Sequence, residues 1–147
     1  MILNHPTPVD QARMLQHTYD PPLVFPLSAE LPVPGDGTRA LILKLPRPPI
    51  EADEDEAFFY QLPDGPVGYF NRCTHIPVPM DMGDGEFLEP EGTVMCRVHG
   101  ARFELESGAV CRPPARSGLT RVLCETRDDT LVIHGWQRVL EYRTGGC

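Results

Sequence analysis

Apolar positions recur along this chain in short runs of period two, and long helical stretches of them are few. Residues 38–45 (TRALILKL), 55–62 (DEAFFYQL) and 66–73 (PVGYFNRC) combine β-branched, aromatic and alternating apolar side chains, which predicts three strands. The acidic, proline-containing segment 46–56 (PRPPIEADEDE) links the first two, and PDG at 63–65 turns the second into the third. A second set follows at 93–98 (TVMCRV), 101–107 (ARFELES, closed by Gly108), 119–126 (LTRVLCET) and 130–135 (TLVIHG), the last pair joined by the tight turn RDD. The pattern predicts an all-β protein of antiparallel sheets. Residues 136–143 (WQRVLEYR) put Trp136, Val139, Leu140 and Arg143 at helical spacing, which predicts a terminal helix with a final strand as the alternative.

Residues 1–37 are weakly patterned. Asp10 can cap a short turn, but the prolines at 21, 22, 26, 32 and 34 forbid a long helix, so this segment is expected to be an N-terminal extension that wraps or dangles. The remainder divides into one domain over 38–135 and a tail over 136–147, since 147 residues hold core material for one domain.

Composition narrows the function classes. The net charge of −8 arises from 21 acidic against 13 basic residues with no basic run, and the sole lysine is Lys44. Nucleic acid and anionic membranes are therefore not expected partners, because both demand positive charge. The start of the chain shows no basic segment followed by an apolar run, so a cytoplasmic location is expected. Five cysteines, at 73, 96, 111, 124 and 147, make an odd set without closely spaced pairs and are expected to be reduced, some of them binding metal. Cys111 and Cys124 are expected in the core or half-buried, Cys147 as a loose terminal thiol, and His134 as a structural histidine, with no role assigned to His5 or His17.

Candidate chemistry sits in two pairs. Cys73-x-His75 and Cys96-x-x-His99 each lie where a predicted strand gives way to a loop, so each loop can aim one thiolate and one imidazole at a shared point. Mixed sulfur and nitrogen donors suit zinc or iron, and a two-iron, two-sulfur centre with two histidines uses the same four side chains as a tetrahedral zinc site.

The wider pattern, CTH, twenty residues, then CRVHGARF, followed by Gly108 and the Pro113-Pro114 loop, resembles the Rieske iron–sulfur family over roughly residues 38–135. The resemblance implies a Rieske-like sandwich of antiparallel sheets with a small cluster-binding lobe at about 70–117. It implies one [2Fe–2S] cluster, with Cys73 and Cys96 on one iron and His75 and His99 on the other. Gly100 would permit the turn after the last ligand, and residues 112–117, with Pro113 and Pro114, would cover the cluster. The inter-ligand connector is a little longer than is usual in the family, and the N-terminal extension has no family counterpart.

High-potential members carry an extra cysteine in each loop and hydroxyls near the cluster. Here Ile76-Pro77 and Arg97-Val98 contain no cysteine, and Ala101 and Phe103 stand where the hydroxyls would fall. The expected potential is therefore at the low end of the Rieske range, about −150 mV. The second domain of Rieske oxygenases, with two histidines and a carboxylate on a catalytic iron, cannot be built, since only His134 follows the cluster segment. The resemblance implies a ferredoxin-like one-electron carrier, without catalysis of its own, for a partner such as a reductase or ring-hydroxylating oxygenase. A redox-sensing module and a zinc-stabilised binding domain are the alternatives. Asp81, Asp84, Glu86, Glu89 and Glu91 in the connector are expected to form a solvated loop, or a negative surface that steers a basic partner. The run Asp53, Glu54, Asp55 and Glu56 is expected to be a solvated linker.

Overall fold

Period-two patterning becomes nine strands among the described residues, and the filling of their two faces creates two cores. The computed structural model describes residues 15–35, 38–74, 76, 78–89, 92–143 and 146–147. The strands are β1 (Gln16–Pro26), β2 (Leu41–Pro46), β3 (Glu54–Leu62), β4 (Gly65–Phe70), β5 (Thr93–Met95), β6 (Arg102–Glu104), β7 (Val110–Arg112), β8 (Thr120–Arg127) and β9 (Thr130–Arg138). Six form an antiparallel sheet in the order β1-β9-β8-β4-β3-β2, and three form a small sheet in the order β5-β6-β7. No helix is present among the described residues.

The large sheet curls into a half-barrel, and one side-chain hydrogen bond links its two edge strands. The Tyr19 hydroxyl on β1 donates to the Pro46 carbonyl at the end of β2 at 2.6 Å. Inside the curl lie Leu45, Ala57, Phe59, Phe70, Leu131, Ile133 and Trp136, all with 1% exposure or less. Alternate residues of the same strands, Phe58 and Tyr60 on β3 and Val67 and Tyr69 on β4, point the other way into a second core shared with the small sheet. There Phe58 stacks on Phe87 with ring centroids 3.9 Å apart. Burying an aromatic of this size contributes roughly 1.5–3 kcal/mol, so β3 anchors both layers.

The small sheet and its loops are inserted between β4 and β8, which pair directly at Gly68 with Val122 and Tyr69 with Arg121. Gly108 closes the insertion against the frame. Its φ is +77°, and a Cβ there would lie 2.5 Å from the Tyr69 ring, so no larger residue fits without displacing that ring.

One expectation changes and an alternative is decided. Residues 16–26, part of the presumed extension, form edge strand β1, paired with β9 through a register shift between Thr18 and Leu23. Of the two readings from Trp136 onward the strand is the one that forms, as the end of β9 through Arg138, where the Trp136 indole N–H donates to the Arg47 carbonyl at 2.9 Å and Arg138 donates to the Pro49 carbonyl at 2.9 Å. These bonds pin the proline-containing linker against β9, and that tertiary contact overrides the local helical spacing.

Candidate metal centre

The two motif loops leave the ends of short strands and are held by backbone bonds before any side chain contributes. In the first loop the Cys73 N–H donates to the Val78 carbonyl at 3.0 Å. In the second, the Cys96 N–H donates to the Ala101 carbonyl at 2.9 Å and the Gly100 N–H to the Cys96 carbonyl at 2.8 Å. Gly100 adopts a φ of +80°, which a glycine takes at little cost and which closes this turn. The Arg97 N–H donates to the Met80 carbonyl at 3.1 Å and joins the two loops. A third loop, following β7 and containing the cis Pro113-Pro114 bond, is tied in by the Thr74 hydroxyl, which donates to the Ser117 carbonyl at 2.6 Å.

Side chains then fix where the first loop begins and ends. Asn71 is buried, donates to the Asp81 carboxylate at 3.0 Å and accepts from the Met80 N–H at 2.8 Å. Asp81, also buried, accepts from the Gly83 and Gly85 N–H groups at 3.2 and 2.9 Å. Next to Cys73, Arg72 makes a two-pronged ion pair with Asp55 of β3, both contacts at 2.9 Å. Such fork-to-carboxylate pairs fix direction as well as charge, so the loop leaves the sheet on a rigid base.

These supports bring Cys73 and Cys96 together. Both are buried in one cluster with Met80, Ala101, Phe103, Ala115 and Leu119, and Cys73 lies near enough to act on the Cys96 thiol. Burial pushes the Cys96 thiol up, the Val98 N–H opposes this, and the adjacent Cys73 adds to the rise. Two apposed thiols in a dry pocket with an amide N–H aimed at one sulfur suit a bound cation, which displaces the protons and is then held by two thiolates. His99 stands exposed on the turn directly after Cys96 and is not drawn into a three-donor group with the cysteines. His75 lies outside the described residues. Ala101 and Phe103 are fully buried, and Pro113 and Pro114 stand at the rim of a cavity shared with Ala115, Arg116 and Tyr142.

Several expectations fail here for physical reasons. Asp81 is a buried turn-former and no part of a solvated loop. Asp84 and Glu86 share an ion pair with the single Arg97, at 2.5 and 3.4 Å. The Asp84 carboxyl is held below the usual carboxylate range by the Glu86 N–H and then by Arg97. Asp55 is buried in the ion pair with Arg72 and is not a linker residue. Cys111 and Cys147 form a disulfide, so Cys147 is not a loose thiol and these two are not reduced. Cys124 is half-buried as expected, with burial pushing its thiol up to about 12. His134 lies 3.4 Å from Glu125, in keeping with a structural role. Glu91 and His5 lie outside the described residues.

Sequence reasoning missed Asp55, Arg72, Asn71 and Thr74 as supports. Only the position of Asn71 and Arg72 immediately before the first motif offered a signal.

Against this geometry, residues 47–124 match the family described as the Rieske [2Fe-2S] domain. The fold resembles the ferredoxin of carbazole 1,9a-dioxygenase from Nocardioides aromaticivorans IC177, with a TM-score of 0.50 and 18% identity over 76% of this chain and 95% of that one. A second solved structure, the NdmA QL mutant of Pseudomonas putida CBB5 with caffeine, matches with a TM-score of 0.45 and 21% identity over 67% of this chain and 28% of that one. No curated protein matches the sequence.

Proposed function

Because the chain belongs to the Rieske [2Fe-2S] domain family and its cofactor is one cluster of that type, we propose that it works as a one-electron carrier for a partner oxidoreductase, with a ring-hydroxylating oxygenase system as the leading candidate. The observation that carries this reading is the meeting of buried Cys73 and Cys96 where two loops are tied together beneath a third. In this assignment Cys73 and Cys96 would hold one iron and His75 and His99 the other. When bound, the cluster supplies a couple that accepts and donates a single electron.

The chain's own residues do the rest. Met80, Phe103 and Ala115 keep water from the sulfur side. The Val98 N–H stabilises charge on the Cys96 sulfur. The Asp55–Arg72 pair and the Asn71–Asp81 bond hold the loop still, which lowers the reorganisation that accompanies each electron. Bond-making chemistry is left to the partner. The name of the fold relative, a dioxygenase ferredoxin, supports an oxygenase partner by analogy of fold.

The test is an iron and zinc assay on purified protein, with absorption and low-temperature EPR. The expected result is a coloured protein that, reduced by dithionite, gives the low average g signal of a mixed Cys/His cluster. A colourless protein containing zinc and no iron would overturn the proposal.

A further inference from the structure

Among the described residues, the end of the chain is fastened by little besides one covalent bond. Residues 140–143 are all exposed and bury no apolar side chain; Leu140 is 61% and Tyr142 39% exposed. Two backbone bonds hold them to β7, the edge strand of the small sheet: the Val110 N–H donates to the Glu141 carbonyl at 3.2 Å and the Arg143 N–H to the Val110 carbonyl at 2.7 Å. The Arg143 side chain meets Glu104 at 3.1 Å and Glu141 at 3.8 Å, and ion pairs this exposed add little. The Cys111–Cys147 disulfide supplies the firm attachment. Its two ends differ, since Cys111 is 4% exposed whereas Cys147 faces solvent.

We propose that the Cys111–Cys147 disulfide is a thiol-operated clasp: opened by a dithiol, it frees the C-terminal segment from β7 and loosens the third loop, so that thiol conditions set how firmly the cluster is kept. The hold on the cluster rests on the carrier reading above; the release of the segment stands apart from it. The connection is short. Cys111 lies just before the third loop, and Tyr142 shares a cavity with Pro113, Pro114, Ala115 and Arg116, so the segment backs that loop. β7 pairs with β6 at Val110 with Phe103 and Arg112 with Arg102, and β6 starts at Arg102, closely following His99. On its other side the third loop is tied to the first motif loop by the Thr74–Ser117 bond. Once the segment leaves, the Val110 N–H and carbonyl turn to water and Tyr142 quits the cavity, while β6 and β7 stay paired. Local opening of this kind needs a segment with few buried apolar contacts, and residues 140–143 meet that condition.

Opening is thiol–disulfide exchange. A thiolate of the dithiol attacks the exposed Cys147 sulfur, the bond to Cys111 breaks, and the Cys111 sulfur leaves as a thiolate that takes up a proton. The second thiol of the reductant then closes on the mixed disulfide and releases Cys147, so two electrons pass to the protein and the dithiol ends as a cyclic disulfide. The test uses the full chain carrying its cluster, with and without excess dithiothreitol, and intact mass reports the gain of two hydrogens. Hydrogen–deuterium exchange over residues 110–117 and 139–143 should quicken about tenfold or more on reduction, with β3 and β4 unchanged. Bleaching of the cluster by EDTA should quicken about threefold or more. Cys147→Ser should show both fast rates without the dithiol and no response to it, which separates the clasp from any direct action of dithiothreitol on the cluster. Circular dichroism matching the parent will establish that this variant is folded.

A disulfide absent from the untreated protein, or left intact by the dithiol while the chain stays folded, would overturn the clasp and leave the carrier standing. So would an opened disulfide with unchanged exchange over 139–143. Faster exchange throughout β3, β4 and β9 would overturn it as well, by making the bond a staple of the whole fold. Faster exchange at the tail with unchanged bleaching would overturn its hold on the cluster. A protein without a reducible cluster would end the carrier reading and that hold together, and the exchange measurement would still decide whether the segment is released.

Discussion

Replacing Asp55 with asparagine leaves the Arg72 guanidinium facing a neutral amide at a position where the aspartate is only 7% exposed. The partner side chain is 29% exposed, so water recovers part of the loss. The expected cost is about 1–3 kcal/mol by urea denaturation, with faster bleaching of the cluster than in the parent. Ala101→Ser and Phe103→Tyr act differently, since each adds a hydroxyl at a fully buried position beside the cysteines. Donation to cluster sulfur favours the reduced state, so both changes should raise the midpoint potential from the low end of a span of about −150 to +300 mV. Spectroelectrochemistry showing no rise in either variant would count against this account of the potential. At this scale the two Cys-His motifs stood out, because a cysteine and a histidine at fixed spacing need no tertiary information, and the structure brings Cys73 and Cys96 into one buried cluster. Asp55 was hidden inside an acidic run, where only the fold reveals that one of four acids turns inward to Arg72.

Strands β2, β3, β4, β8 and β9 were readable because their alternation reports two different buried faces. The segment forming β1 was not, since its prolines argue against regular structure. An edge strand tolerates them, having one side on which no N–H is needed. That strand is fastened by His17, whose ring stacks on Trp136 at 5.9 Å and meets Tyr19 edge-on at 5.0 Å. Burial and then the nearby Arg47 hold the His17 imidazole below its ordinary value of 6.5. A base whose folded value is lowered binds more protons when unfolded, so its contribution is complete above about pH 6.5 and is lost as pH falls toward the folded value. His17→Gln should flatten the fall in thermal midpoint between about pH 7 and pH 5. A slope identical to that of the parent would show that another group governs it.

For the whole molecule, the disulfide decides how the C-terminus is held. Cys111 and Cys147 are 36 residues apart, and neither spacing nor parity pointed to the pair. The Arg143 N–H donates to the Val110 carbonyl at 2.7 Å and the Arg143 side chain meets Glu104 at 3.1 Å, so the tail runs along the small sheet before the crosslink. Closing a loop of this length in the unfolded chain is worth about 3–4 kcal/mol, and Cys147→Ser should cost about that much by denaturant titration. Intact mass of the non-reduced parent should be about two hydrogens lighter than that of the five-thiol chain. A mass equal to the fully reduced value would remove the crosslink from the account. The redox state of these thiols was the part of the sequence reading most exposed to error, because it rested on the absence of a pattern.

The pairing of β4 with β8 means that the chain departs for the iron-binding lobe and comes back at neighbouring points of one surface. Growth or shrinkage of the segments in between therefore need not be transmitted to the six-stranded scaffold. Over evolutionary time such a layout lets relatives retune their electron site, lengthening one connector or rewriting one rim, while inheriting the same frame.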